Sequence, residues 1–171
     1  LKGKSVNIID PFFAVFASPF GAIGICSEED ALTHIVYLPK ETPVQAPRNQ
    51  LAAQAVKQLQ HYFQQADYPL NLPLRRTGSE FQNKVWQAIA AIPPGKTQTY
   101  GALAKQIGSA ARAVGQACGS NPLPLFIPCH RVVAATGLGG FMRSSNASDT
   151  LQIKSWLLEH EGAKKVQIKS F

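Results

Sequence analysis

The sequence predicts a mixed α/β chain of the α+β kind: a small antiparallel sheet with one covering helix, then a mostly helical second half that contains a helix-turn-helix. Three observations predict it. Before residue 40 the apolar residues fall in short, partly β-branched runs broken by turn signals. From Leu51 onward they recur at helical spacing, and near Gly108 two short helical patterns meet at a tight turn.

In order along the chain, Val6 to Val15 and Phe20 to Cys26 read as strands separated by Ser18-Pro19 and Gly21, and Leu32 to Leu38 as a third. Leu51, Ala55, Val56, Leu59, Tyr62 and Phe63 form a helical stripe that ends near Asp67-Tyr68-Pro69. Ser79-Glu80-Phe81-Gln82 is a capping box, and Phe81, Val85, Ile89 and Ile92 continue as a stripe stopped by Pro93-Pro94-Gly95. Thr99 caps a short helix over Tyr100 to Ile107; Gly108 ends it, and Ser109 is expected to cap the next, through about Gly119. Two prolines in Asn121-Pro122-Leu123-Pro124 forbid regular structure, Arg131 to Ala135 reads as a strand, and Leu151 to Glu161 as an amphipathic helix with Asp149 as its cap and Gly162 just beyond its end. No internal repeat is present.

With 171 residues, 45% of them hydrophobic and 16% charged, the chain is an ordinary globular one, which excludes disordered and collagen-like classes. A division at the Pro69 to Gly78 stretch gives an N-terminal sheet-and-helix domain over 1–76 and a C-terminal domain over 77–171. Residues 1–76 carry seven Lys/Arg against six Asp/Glu, and residues 77–171 ten against four, so the positive charge lies in the second half. That asymmetry favours a polyanionic partner, nucleic acid first and an anionic membrane surface second. No stretch reaches the roughly 18 apolar residues of a membrane span, and no signal-peptide pattern follows Leu1-Lys2-Gly3-Lys4, so the expectation is a soluble cytoplasmic protein without membrane contact. Three widely spaced cysteines, Cys26, Cys118 and Cys129, suggest neither a disulfide framework nor a zinc ribbon. Cys26 and His34 alone are too few to hold a metal, and no cofactor is expected.

Two segments carry the candidate chemistry. Pro128-Cys129-His130-Arg131 sets a thiol beside an imidazole; taken alone such a pair is more often an inert buried thiol next to a surface histidine than a nucleophile with its base. Ala110-Ala111-Arg112-Ala113-Val114-Gly115 places one large charged side chain among small ones, which suits close packing on another helix or, with the helix-turn-helix and the basic half, a helix lying against DNA. Tyr100 at the start of the preceding helix either staples that turn to the core or presses on a nucleic-acid backbone.

Together, Phe81-Gln82-x-x-Val85-Trp86, Ile92-Pro93-x-Gly95-x-Thr97-x-Thr99-Tyr100, Ala111-Arg112-Ala113-Val114-Gly115, Asn121-Pro122, Pro128-Cys129-His130-Arg131-Val132 and Leu157-Leu158-x-x-Glu161-Gly162 resemble the O6-alkylguanine-DNA alkyltransferases. The match runs from about residue 79 to 162, and Ser18-Pro19-Phe20-Gly21 is compatible with that family's ribonuclease H-like first domain. The resemblance implies a single-turnover transfer of an alkyl group from O6 of guanine, and less readily O4 of thymine, to Cys129. His130 is then the base acting on Cys129 through a water, Glu161 orients His130, and Asn121 holds the turn that presents the thiol. It further implies a monomer that binds double-stranded DNA through the minor groove with Ala111, Arg112 and Gly115. Arg112 fills the gap left by an extruded nucleotide and Tyr100 pushes its phosphate, while Pro124, Gly140, Phe141 and Met142 wall the guanine pocket.

Two departures from the family pattern are visible. The family often has a tyrosine and a Gly-rich turn after Gly140, where this chain reads Phe141-Met142-Arg143-Ser144-Ser145, and the turn Gly108-Ser109-Ala110 is about two residues shorter than usual. A non-catalytic module that binds alkyl lesions is the alternative reading, although such proteins replace the reactive cysteine. A thiol hydrolase is disfavoured because no oxyanion-hole motif accompanies the pair.

Overall fold

A computed structural model describes residues 11–140 and 147–163. The first half contains β1 (Ala14–Ser18), β2 (Gly21–Ser27) and β3 (Leu32–Leu38), hydrogen-bonded as an antiparallel sheet in that order, followed by α1 (Gln50–Gln64). The first strand was expected over Val6 to Val15; it runs from Ala14 to Ser18, because the turn at Pro19-Phe20 pairs Ser18 with Gly21 and fixes the register, while residues 6–10 lie outside the described residues. Gly21 sits at φ 138°, and a Cβ there would meet the Leu38 carbonyl oxygen at 2.8 Å.

Helix α1 begins at Asn49, whose side-chain oxygen accepts from the Ala52 amide at 2.8 Å. It ends at Gln64, short of the expected Asp67-Tyr68-Pro69, because the Tyr68 amide closes a turn on the Gln65 carbonyl. Leu51, Ala52, Ala55, Leu59 and Tyr62 make its buried face, set against Ala14, Phe16, Ile23 and Ile25 of the sheet.

The second half contains α2 (Glu80–Ala90), β4 (Gln98–Thr99), α3 (Tyr100–Ile107), α4 (Ala111–Gly119), a 3₁₀ turn over Cys129–Arg131, β5 (Val132–Val133) and α5 (Ala147–His160). The capping box at Ser79 and Gln82 forms, and Trp86 of α2 donates from its indole nitrogen to the Ala117 carbonyl at 2.9 Å, fixing α2 against α4. Gly108, at φ 73°, ends α3 in a left-handed turn in which the Gly108 amide reaches Lys105 and the Ser109 amide reaches Ala104. Ser109 therefore belongs to the end of α3 and does not cap α4, whose cap is Ala110 without a side-chain bond. Asp149 was expected as the cap of the last helix; α5 starts at Ala147, so Asp149 lies in its first turn, where a carboxylate still favours the helix dipole. Gly162, at φ 70°, closes α5 with its amide on Glu159 and that of Ala163 on Leu158.

The expected strand at Arg131 to Ala135 is shorter than predicted: Cys129–Arg131 coil into a 3₁₀ turn and only Val132–Val133 extend, in parallel with Gln98–Thr99. This two-residue ladder ties the start of α3 to the end of the Cys-His turn. A single cluster of buried side chains spans both halves, from Ala14 to Leu157. The Ile35 amide of β3 also donates to the Pro122 carbonyl at 3.0 Å, so the sheet supports the loop that carries the thiol.

Candidate functional site

Cys129 stands at the end of a buried, irregular loop, and backbone groups in such a loop must find partners. Asn121 supplies two of them. Its amide nitrogen donates to the Ile127 carbonyl at 2.8 Å and its oxygen accepts from the Leu123 amide at 2.9 Å, while the Ile127 amide bonds the Leu123 carbonyl. Within that clamp Leu125 adopts φ 74°, the left-handed region, which costs a leucine roughly 1–2 kcal/mol. Pro124, also buried, forms a bridge with Ile127. Five packed residues, Asn121, Leu123, Pro124, Leu125 and Ile127, thus aim the chain into the Pro128-Cys129 turn.

Burial pushes the Cys129 thiol up, and a hydrogen bond from the Asn121 side chain, the charge of Lys154 and backbone bonds at Cys129 and His130 pull it back. The neighbouring His130 is 1% exposed; its Nε2 lies 2.8 Å from Glu161 Oε1, and its Nδ1 is buried with no partner among the described residues. Burial lowers His130, and Glu161 works against that. Burial likewise opposes charge on Glu161, but the hydrogen bonds from His130 and Arg131 win and hold its carboxyl well below the usual range. Since an ionised carboxylate only accepts, Nε2 must carry the hydrogen of the neutral imidazole, which leaves Nδ1 as the basic nitrogen.

Glu161 gathers more donors than the sequence suggested. Arg131 donates from Nε to Oε2 at 3.0 Å and from Nη2 to Oε1 at 2.8 Å, with Nη1 on the Ile92 carbonyl at 2.6 Å. The Tyr62 hydroxyl of α1 donates to Oε1 at 2.7 Å, and burial followed by Glu161 pushes that hydroxyl far up. Neither Arg131 nor Tyr62 was singled out by sequence; a polar tip at a buried stripe position of α1 was the available signal for Tyr62.

A third missed residue is Lys154, fully buried on the α5 face that also buries Ile153, Leu157 and Leu158, just ahead of the buried Glu161 beyond the helix end. A lysine inside an apolar stripe is the signal that identifies it. Its ammonium donates to Val132 and Gly140 carbonyls at 2.7 and 2.6 Å and reaches the Tyr100 hydroxyl at 3.4 Å. Burial lowers it to about 8, and the Cys129 and Cys118 thiols oppose the shift. Burial raises Cys118 itself to about 12, so Cys118 stays a neutral thiol near neutral pH.

Tyr100 donates to the Gly140 carbonyl at 3.0 Å, and its ring passes close to Gly139 and Gly115. A Cβ on Gly139, at φ 72°, would stand 2.7 Å from Tyr100, whereas one on Gly140 meets nothing within 4 Å. Of the four expected pocket walls, Gly140 accepts from Tyr100 and Lys154, Pro124 is buried in the loop before Cys129, and Phe141 and Met142 lie outside the described residues. Cys129, His130, Asn121 and Glu161 come together; Ala111 and Arg112 stand apart from them, exposed at the start of α4, with Gly115 half-buried one turn on. Cys26 and His34 face each other across β2 and β3, with no third metal-ligand side chain beside them among the described residues.

The family described as "6-O-methylguanine DNA methyltransferase, ribonuclease-like domain" matches residues 12–76, and "6-O-methylguanine DNA methyltransferase, DNA binding domain" matches residues 80–163. The chain is 35% identical over 159 residues to a methylated-DNA–protein-cysteine methyltransferase of Methanosarcina acetivorans, covering 89% of this chain and 99% of that one. It is 37% identical over 161 residues to the constitutive methylated-DNA–protein-cysteine methyltransferase of Bacillus subtilis, covering 88% and 94%. Among solved structures it resembles Mycobacterium tuberculosis OGT in complex with DNA, at TM-score 0.71 and 35% identity over 86% of this chain and 90% of that one.

Proposed function

We propose that this chain, which belongs to the 6-O-methylguanine DNA methyltransferase family, repairs DNA by taking the alkyl group of O6-alkylguanine, and less readily of O4-alkylthymine, irreversibly onto Cys129. The observation that carries the proposal is the buried Cys129-His130 turn, in which His130 is bonded to Glu161 and Asn121 braces the loop behind the thiol. An alkyl carbon on O6 is a weak electrophile, so the thiol must reach it as thiolate, yet burial holds Cys129 protonated. His130 Nδ1 is the nitrogen left to take that proton, directly or through a water, while Glu161 steadies the imidazolium that results. The sulfur–carbon bond forms as the carbon–O6 bond breaks; its electron pair stays on the base, which gains a proton. The thioether has no route back, so each molecule turns over once.

Reaching O6 requires the nucleotide to leave the duplex, at a cost of a few kcal/mol. Ala111 and Gly115 allow α4 to lie in the minor groove of double-stranded DNA, Arg112 fills the vacated stack, and Tyr100, at the foot of α3 and bonded to Gly140, meets the rotating phosphate. Pro124 and Gly140, with Phe141 and Met142, are proposed to wall the base pocket. The matches at 12–76 and 80–163 support a division into domains at residue 76. We further propose a monomer in a reducing cytoplasm, which suits three cysteines that are joined in no disulfide among the described residues. No helix among the described residues is long and apolar enough to cross a membrane.

The test is intact mass after mixing with a duplex carrying O6-methylguanine. One methyl per molecule, absent in Cys129→Ala, is expected. Tight binding without mass gain would instead make the chain a non-catalytic lesion-binding module.

A further inference from the structure

Glu161 Oε1 is oversubscribed. It receives Tyr62 at 2.7 Å, His130 at 2.8 Å and Arg131 Nη2 at 2.8 Å, whereas among the described residues Oε2 receives Arg131 Nε. One carboxylate oxygen offers two lone pairs, so three donors on it weaken one another. Tyr62 is the donor that comes from the first half of the chain, 99 residues away, and it is 2% exposed. It is also held from behind: His160 Nε2 lies 2.7 Å from the Tyr62 carbonyl oxygen, and the two rings meet edge-on at 5.3 Å. The residue thus grips His160 and Glu161 at the end of α5 by both its backbone and its hydroxyl.

The geometry points to Tyr62 as a positioning residue for the thiol chemistry: its hydroxyl competes with His130 for one oxygen of Glu161, and so sets how firmly the imidazole is held and how readily it takes a proton. This rests on the alkyl-transfer reading for its kinetic consequence, but not for its effect on His130. Every charged or titratable group facing the pair enters the balance. His130 faces Cys129, Arg131, Lys154 of α5, and Glu161 just beyond that helix; Glu161 faces His130, Arg131 and Tyr62 of α1. Burial first, then Arg131 and Lys154, keep the imidazole neutral, and Glu161 favours its charge; the Tyr62 hydroxyl, bonded to the same carboxylate oxygen, is the group proposed to draw part of that favour away. The helix-bearing first half is then part of the reactive centre as well as its support.

Tyr62→Phe keeps the ring and its edge contact with His160 and removes only the hydroxyl. With Oε1 released, Glu161 becomes the stronger acceptor and His130 protonates at higher pH. Histidine titration by nitrogen NMR, with the His130 signal assigned by its loss in His130→Asn, is expected to show the His130 midpoint about half a unit higher in Tyr62→Phe, given the strength of a hydrogen bond to a charged group. Single-turnover methyl transfer at saturating duplex should slow about threefold below that midpoint and recover above it, with DNA affinity unchanged. In a Glu161→Gln background the same substitution should change transfer little, because the hydroxyl acts through the carboxylate. An unmoved His130 midpoint, or an equal loss with and without Glu161, overturns the proposal. If no methyl is transferred by the parent protein at any pH, the alkyl-transfer reading fails, and the NMR midpoint alone still decides the role of Tyr62.

Discussion

Two arginines divide the molecule. Arg131 is buried and all three of its guanidinium nitrogens are engaged, two on Glu161 and one on the Ile92 carbonyl. Arg112, at the start of α4, is exposed, and no hydrogen bond or ion pair among the described residues holds it. The surroundings of the two side chains differ: inside, the protein has already used the fork that matches a carboxylate; outside, no group among the described residues engages it. The interior arginine should therefore answer in stability and the exterior one in binding.

The largest expected effect breaks the interior pair. Arg131→Ala strands the Glu161 carboxylate in a dry site and should cost about 3–5 kcal/mol in urea unfolding, while Arg112→Ala should stay within about 0.5 kcal/mol of the parent. Equal small losses would mean that water or a rearranged neighbour takes over the carboxylate. The pH dependence of the same measurement follows from the direction of the Glu161 shift. Its carboxyl is held below the ordinary value of 4.5, so the stability it contributes is complete above that pH in the unfolded range and is lost as pH falls through the lower folded value. The stability gap between the parent and Glu161→Gln should then be widest at neutral pH and close in strong acid. A gap that does not narrow below about pH 4 would show that the pair carries no such coupling.

The two regions also differ in what the sequence reveals. Cys129, His130, Asn121 and Glu161 were legible because they sit in short motifs, and the helix-turn-helix because capping residues and Gly108 mark its ends locally. The donors that complete the centre are not local. Tyr62 meets Glu161 across 99 residues of chain and Arg131 across 30. Periodicity placed Tyr62 correctly on the buried face of α1 but says nothing of what lies beyond its ring. Lys154 was missed for a related reason: its place among the apolar positions of the last helix was a signal left unread, and only the fold shows the Val132 and Gly140 carbonyls that hold it. The shifted start of α4 is the reverse case, a local rule overruled by its neighbour, since the Ser109 amide is already spent on the end of α3.

On the outer face the effects are smaller. Arg112→Ala should slow repair of O6-methylguanine in a duplex by about tenfold, the scale of one lost charged contact. Its reaction with free O6-benzylguanine should change less than about twofold, because the free base needs no extrusion. Equal losses on both substrates would remove Arg112 from the flipping step and place its influence in the chemistry.

The smallest effect separates constraint by the protein from constraint by its partner. Gly139 cannot accept a side chain, since a Cβ would meet Tyr100 at 2.7 Å and the backbone is left-handed. Gly115 is different: a Cβ there approaches nothing nearer than the Tyr100 ring at 4.0 Å, and its backbone is helical. Nothing within the fold demands a glycine at 115, and replacing it by alanine should stabilise α4 by about 0.8 kcal/mol through lower chain entropy in the unfolded state. If α4 lies in a groove of DNA, the same methyl should weaken duplex binding several-fold while leaving reaction with the free base intact. A Gly115→Ala protein that is more stable and binds duplex as tightly as the parent would show that DNA does not approach α4 closely at this position, and would move the DNA-facing surface elsewhere on the basic half.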